Sequence, residues 1–246
     1  MKTTTIIQAL GPIDFASIRR DPMLRWMVFL PLVIALAMRL ALPLIVARID
    51  PWFPWELAAL YPPLMAYMVL LLVPYLWGVI VGFLLLDQRD DRTLSALQVT
   101  PLSLAGYLRY RLLLPTLLTV FSAPLALALT GLASLDPGAH LLLALAVAPQ
   151  APLAALALAA LAQNKVQGLA LMKVANVVLL PPLVAYFLPA AWQQLFLLVP
   201  TTWPAYLLWE LQSDGTGAWF YLVGGLLYQG GLLWWLARRF QRIMVH

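Results

Sequence analysis

The stretch Pro63-Leu64-Met65-Ala66-Tyr67-Met68-Val69-Leu70-Leu71-Leu72-Val73-Pro74-Tyr75-Leu76-Trp77-Gly78-Val79-Ile80-Val81-Gly82-Phe83-Leu84-Leu85-Leu86 contains no Asp, Glu, Lys or Arg. A helix needs about 20 predominantly apolar residues to cross a bilayer core. This run is long enough, and a run apolar on all sides has no face for water. It stops abruptly at Asp87-Gln88-Arg89-Asp90-Asp91-Arg92, where every residue is polar.

Five further runs meet the criterion of about 20 predominantly apolar residues. Spans are expected at Met27–Ala47, Pro63–Leu86, Leu108–Leu132, Leu141–Ala162, Leu169–Leu188 and Trp219–Leu236. The stretch Ala190–Leu211 is also apolar, but Pro200 and Pro204 interrupt it and Trp192, Trp203 and Trp209 punctuate it. It reads as one or two short interfacial or re-entrant helices. The fold class is therefore an all-α integral membrane protein in one transmembrane domain. Residues 1–26 precede the spans, 27–236 hold them and 237–246 form a tail.

Composition agrees. Of the 246 residues 63% are hydrophobic and 10% charged, against about 25% charged in soluble domains. The 10 Trp, 20 Pro and 13 Gly suit membrane helices, where interfacial aromatics and helix breakers are common. No cysteine is present, which excludes disulfides and thiolate metal sites. The N-terminal residues show no apolar run ending in a small-residue cleavage site, so no signal peptide is expected.

Basic residues set the expected orientation. Six crossings put both termini on one side, and thirteen of the 15 Lys and Arg fall on or near that side. Arg39 and Arg48 belong to the other. Lys and Arg concentrate in cytoplasmic loops, so both termini are expected in the cytoplasm, with the protein in a bacterial cytoplasmic membrane. The net charge of +5 reports orientation and anionic-lipid contact rather than nucleic acid.

Catalytic signatures are missing. There is no Gly–Lys pair for a phosphate cradle, and His140 and His246 are too far apart for a zinc motif. No serine lies in a Gly-x-Ser-x-Gly turn. No carboxylate falls inside an expected span, which argues against intramembrane proteolysis and proton relays.

The loop after the second span is the informative connection. Asp87–Arg92 is a charged turn, Leu94, Leu97 and Val99 share one side of a short helix, and Thr100-Pro101 ends it. Asp91 or Thr93 can cap its start. Such a helix is either a solvated connector lying on the headgroups or a docking lever for a cytoplasmic partner.

Here the chain resembles the permeases of type-two ABC exporters. Asp90-Asp91-Arg92-Thr93-Leu94 and Val99-Thr100-Pro101 are similar to their coupling-helix region, with Arg92 where the family usually has Gly. Asn164-Lys165-Val166-Gln167-Gly168-Leu169-Ala170-Leu171-Met172-Lys173 and Pro200-Thr201-Thr202-Trp203-Pro204 resemble two further family stretches. Ile13–Arg25 looks like the interfacial elbow helix. The likeness is nearest to the bacterial drug-exporter branch, often labelled fluoroquinolone exporters.

The resemblance implies a non-catalytic transport subunit that exports a lipophilic or amphipathic molecule. Its partners would be a separate ABC-type ATP-binding subunit and a second permease, identical or related. ATP and Mg2+ would bind that ATPase, with no cofactor on this chain. The ATPase-coupling residues would be Asp87, Arg89, Asp90, Asp91, Arg92, Thr93, Leu94, Leu97, Thr100 and Pro101. Tyr67, Tyr75, Trp77 and Phe121 are candidates for an aromatic substrate path, although packed or lipid-facing aromatics look the same in sequence. The competing readings are a membrane enzyme acting on lipid or peptide and a channel, carrier or scaffold not driven by ATP.

Overall fold

The computed structural model describes residues 3–90, 104–213 and 215–245. The described residues are helical throughout, joined by turns. Six helical segments are long and apolar enough to cross a membrane: Pro22–Trp52, Leu57–Arg89, Gly106–Thr130, Pro137–Leu161, Lys165–Tyr186 and Ala218–Arg242. They are spans one to six below, and each contains the core of the run expected from sequence.

Span two is the central post. Its most apolar stretch is 94% buried, against 17% for span one and 22% for span six, so the other spans pack around it and turn their outer faces away. Its closest neighbour is span four, and small residues make that approach possible. A Cβ added at Gly78 would lie 2.5 Å from the Ala151 carbonyl oxygen, and one at Gly82 would lie 2.7 Å from the Leu158 side chain. The Gly78-x-x-x-Gly82 pair thus serves packing within the subunit, as small-x-x-x-small pairs do when two backbones touch.

Proline accounts for most irregularities. A π-helical turn, Ala66–Leu71, sits just before Pro74 in span two, where the ring removes an N–H from the helical ladder. Span four is two helices, Pro137–Val147 and Gln150–Leu161, separated at Ala148-Pro149. Span five breaks between Val178 and Pro181-Pro182. Pro115 and Pro124, by contrast, lie inside one continuous helix. Span three ends at Gly131, whose φ of +64° lies in the left-handed region that glycine enters freely.

Two stretches differ in detail from expectation. The N-terminal helix runs Thr3–Arg20 and is broken at Asp21-Pro22, inside the Ile13–Arg25 stretch read from sequence as one element. The break has a local cause: Asp21 Oδ1 accepts from the N–H groups of Met23 and Leu24 and caps span one, with Pro22 in its first turn. The Ala190–Leu211 stretch is a short helix Ala190–Gln193, a 3-10 turn Gln194–Leu198 and a helix Thr202–Gln212. The Trp203 ring lies against Gly224 and Gly225 of span six, where a Cβ on Gly224 would come within 2.5 Å of it.

Candidate functional site

Residues 91–103, with Asp91, Arg92, Thr93, Leu94, Leu97, Thr100 and Pro101, lie outside the described residues, as does the side chain of Asp90. What the structure places is the frame from which that loop leaves and to which it returns. Gln88, at the end of span two, is hydrogen-bonded to the Tyr107 hydroxyl at the start of span three. The chain is therefore clamped just before and just after the loop.

Behind Tyr107 stands a buried ion pair. Arg111 donates from Nη1 to Asp14 Oδ2 at 2.7 Å and from Nη2 to Asp14 Oδ1 at 2.9 Å, a two-pronged contact with the N-terminal helix. Its Nε donates to the Tyr107 hydroxyl at 3.0 Å, and Tyr110 donates to Asp14 Oδ2 at 2.8 Å. The guanidinium also lies over both tyrosine rings, at 5.3 and 5.5 Å from their centres. Side-chain exposure is 0% for Arg111 and 4% for Asp14. A charge so thoroughly removed from water is tolerable only when paired and hydrogen-bonded, and here both conditions are met.

A second link crosses the same end of the bundle. Lys165 donates to Asp21 at 2.9 Å and to Asp87 at 3.1 Å, joining the heads of spans five and one to the foot of span two. Burial alone would raise the Asp21 pKa. The Lys165 hydrogen bond and charge, with the capping N–H groups of Leu24 and Met23, outweigh it and hold the carboxyl below its ordinary value. Arg89 donates to the Ala162 carbonyl at 3.2 Å, capping span four. Gly168 lets span five close on Phe83 and Leu86. Asp87 and Arg89, expected among the ATPase-facing residues, are thus bonded within the chain.

The four aromatics proposed as a substrate path are not gathered in one place. Trp77 is buried, and its indole N–H donates to Ser122 Oγ at 2.7 Å. Phe121 is 72% exposed on the outer face of span three. Tyr67 packs against the core. Only Tyr75 lines a cavity, about 380 Å³ in volume and formed by spans two, four, five and six with the Pro200-Thr201 turn. Its walls are almost wholly apolar, including Ala157, Met172, Val178 and Trp235. Its polar side-chain groups are Tyr75, Gln150 and Thr201, with the indole N–H of Trp235 at the mouth. Trp235, Val174 and Leu161 line it while remaining exposed, so it opens sideways between spans five and six.

Sequence reading did not single out Asp14, Arg111, Gln150 or Gln229. Arg111 carried a usable signal. It is well inside the Leu104–Thr130 helix, flanked by Tyr107 and Tyr110, whereas Arg109 on the opposite face is exposed. Gln150 and Gln229 are amides in the middle of apolar spans, where a polar side chain needs a partner. They are each other's: Gln150 Nε2 donates to Gln229 Oε1 at 3.1 Å. Arg39 is likewise bonded, donating to the Leu129 carbonyl in the last turn of span three at 3.2 Å.

Among the described residues no group of His, Cys, Asp or Glu is arranged to hold a metal ion. A family model described as "Fluoroquinolones export permease protein Rv2686c-like" matches residues 14–237. Two curated relatives are the Fluoroquinolones export permease proteins Rv2686c and MT2760 of Mycobacterium tuberculosis, from strains H37Rv and CDC 1551. Each is 29% identical over 239 residues, covering 96% of this chain and 94% of the relative. No solved structure matches the chain. The chain belongs to this family of export permeases and is a multi-pass membrane protein.

Proposed function

We propose that this export permease is the membrane subunit of an ATP-binding-cassette exporter. A separate ATPase binds ATP and Mg2+ and docks on residues 87–103, and a second permease, identical or related, completes the pore. The substrate is a lipophilic or amphipathic molecule moved outward across the cytoplasmic membrane. The relatives' names make fluoroquinolones the first compounds to try. Both termini and the docking loop face the cytoplasm, the N-terminal helix lies in the interface as an elbow, and the Pro200-Thr201 segment re-enters from outside.

The observation that carries this reading is the braced frame around the loop. Gln88–Tyr107, Arg111–Asp14 and Lys165–Asp21/Asp87 tie the loop's two ends, on spans two and three, to each other and to three further helices. A connector resting on lipid headgroups needs no such frame. A lever that passes force from an ATPase into the bundle does, because a compliant root would absorb the stroke. Leu94 and Leu97 then supply the apolar docking face, each worth roughly 1.5–3 kcal/mol when fully buried. In this scheme Asp87 and Arg89 act by bracing the loop from within the permease.

Purification with and without the cognate ATP-binding chain tests the proposal. The isolated permease should hydrolyse no ATP, and the two chains should copurify as an active ATPase. ATP hydrolysis that resides in the permease alone, or failure to copurify with an ATP-binding chain encoded beside it, would overturn the assignment.

A further inference from the structure

We infer that the sideways cavity between spans five and six is a binding site for an uncharged, planar, largely apolar molecule bearing an N–H or O–H donor. It would accept its ligand from the lipid. This rests on the transporter reading only for its purpose; of a fluoroquinolone, which carries a carboxyl and an amine, such a site takes the uncharged form.

The ligand preference follows from which way Tyr75, Thr201 and Gln150 point their hydrogens. Tyr75 donates its hydroxyl hydrogen to the Met172 carbonyl at 2.7 Å. Thr201 donates to the Val178 carbonyl at 2.8 Å. Gln150 uses its amide nitrogen twice, toward the Pro200 carbonyl at 2.8 Å and toward Gln229 Oε1 at 3.1 Å. A backbone carbonyl can only accept, so the Pro200 contact fixes which end of the Gln150 amide is nitrogen. Every donor hydrogen on these three side chains is therefore engaged with the protein. What they offer a ligand is oxygen lone pairs.

No Asp, Glu, Lys, Arg or His lines the cavity. A carboxylate or phosphate entering it would lose its water and find no cation to pair with, only the Trp235 indole N–H at the mouth, which is costly. A cation would find no counter-charge. A neutral ring system with one donor suits both parts of the site, its faces against Ala157, Met172 and Trp235 and its N–H or O–H toward Tyr75, Gln150 or Thr201. The volume of about 380 Å³ falls in the range of small-molecule pockets. The exposed Val174 and Trp235 at the mouth make the bilayer the route of entry.

Three fluorescent probes of one shape separate the possibilities: 2-aminoanthracene, anthracene and anthracene-2-carboxylate. Each is titrated into the purified permease in nanodiscs at neutral pH, without ATPase, and blank nanodiscs measure simple partition. Saturable binding of 2-aminoanthracene is expected, with the carboxylate roughly tenfold weaker or more. Tyr75→Phe and Thr201→Val should each weaken 2-aminoanthracene by roughly 3- to 10-fold, the size of one hydrogen bond, and leave anthracene unchanged. Ala157→Phe should abolish binding. Should that variant misfold, Val178→Trp blocks the exposed rim instead.

Equal binding of all three probes would mean an unselective apolar groove, such as one holding a lipid tail, and would overturn the inference. So would binding that survives both blocking variants, or no binding at all, as when a second permease copy fills the groove. Loss of probe binding with intact ATPase copurification refutes the site alone. Probe binding by a permease that copurifies with no ATP-binding chain refutes the energy source and leaves the site.

Discussion

Replacing Asp14 by leucine removes the carboxylate that faces Arg111 in both prongs of the contact and leaves a guanidinium with 0% exposure. Two Arg111 hydrogen bonds and the one from Tyr110 disappear together. Breaking a buried pair by deleting one partner costs about 3–5 kcal/mol, because the remaining charge is stranded. At roughly 2–4 °C per kcal/mol for chains of this size, the unfolding temperature in detergent should fall by about 10 °C. Arg111→Met should cost a similar amount by stranding the carboxylate. The double variant Asp14→Leu/Arg111→Met replaces both charges with apolar groups and should recover most of the loss, since well-packed substitutes for buried pairs are often neutral. Thermal unfolding followed by size-exclusion chromatography reads all four proteins, and the coupling energy of the cycle should exceed about 2 kcal/mol. Additive losses, or an Asp14→Leu variant as stable as wild type, would refute a buried, mutually dependent pair. The double variant also separates stability from function. If the pair stiffens the root of the loop, ATPase coupling should stay impaired after stability has returned.

Other expected outcomes follow from single contacts. Gly78→Ala places a methyl 2.5 Å from the Ala151 carbonyl oxygen, and because backbone must move, about 1–3 kcal/mol of stability should be lost. A loss of dimer with unchanged subunit stability would instead put Gly78 on the seam between copies. Asp21 has a lowered pKa in the folded chain, so its contribution is complete above the ordinary value of 3.8 and is lost as pH falls through the folded pKa. The stability gap between wild type and Asp21→Asn, which keeps the cap but loses the charge facing Lys165, should be flat above about pH 4 and close below it. Ser95→Cys in this cysteine-free chain should resist an impermeant thiol reagent added outside intact cells and react once the membrane is opened. Labelling from outside would reverse the topology.

The spans were legible because burial in lipid writes itself into composition. Pro63–Leu86 has no charge to place, and six predominantly apolar runs of membrane-crossing length leave little polar face for water. The break at Asp21-Pro22 was missed inside Ile13–Arg25, although an Asp before a Pro is a helix-start pair. The ion pair was not legible, because Asp14 and Arg111 are 97 residues apart and each looks like an ordinary cytoplasmic-side charge. Only the packing of the N-terminal helix on span three removes both from water. The cavity was hidden for a related reason. Its walls come from spans two, four, five and six, and sequence does not tell the breaks at Pro149 and Pro181 from Pro115 and Pro124, which lie inside one continuous helix. The four aromatics do not share one place because helical phase, not composition, decides whether Trp77 meets Ser122 or Phe121 faces outward.

Energy coupling through the loop is the central proposal, and transport in proteoliposomes tests it most directly. Permease and its cognate ATPase are reconstituted together, and uptake of a fluorescent fluoroquinolone is followed with ATP on the ATPase side. Uptake should require both chains and ATP, and Leu94→Asp or Leu97→Asp should abolish it while membrane insertion and thermal stability stay normal. Uptake by the permease alone at the same rate, or undiminished ATP-driven uptake by both Leu variants, would contradict the coupling role of the loop.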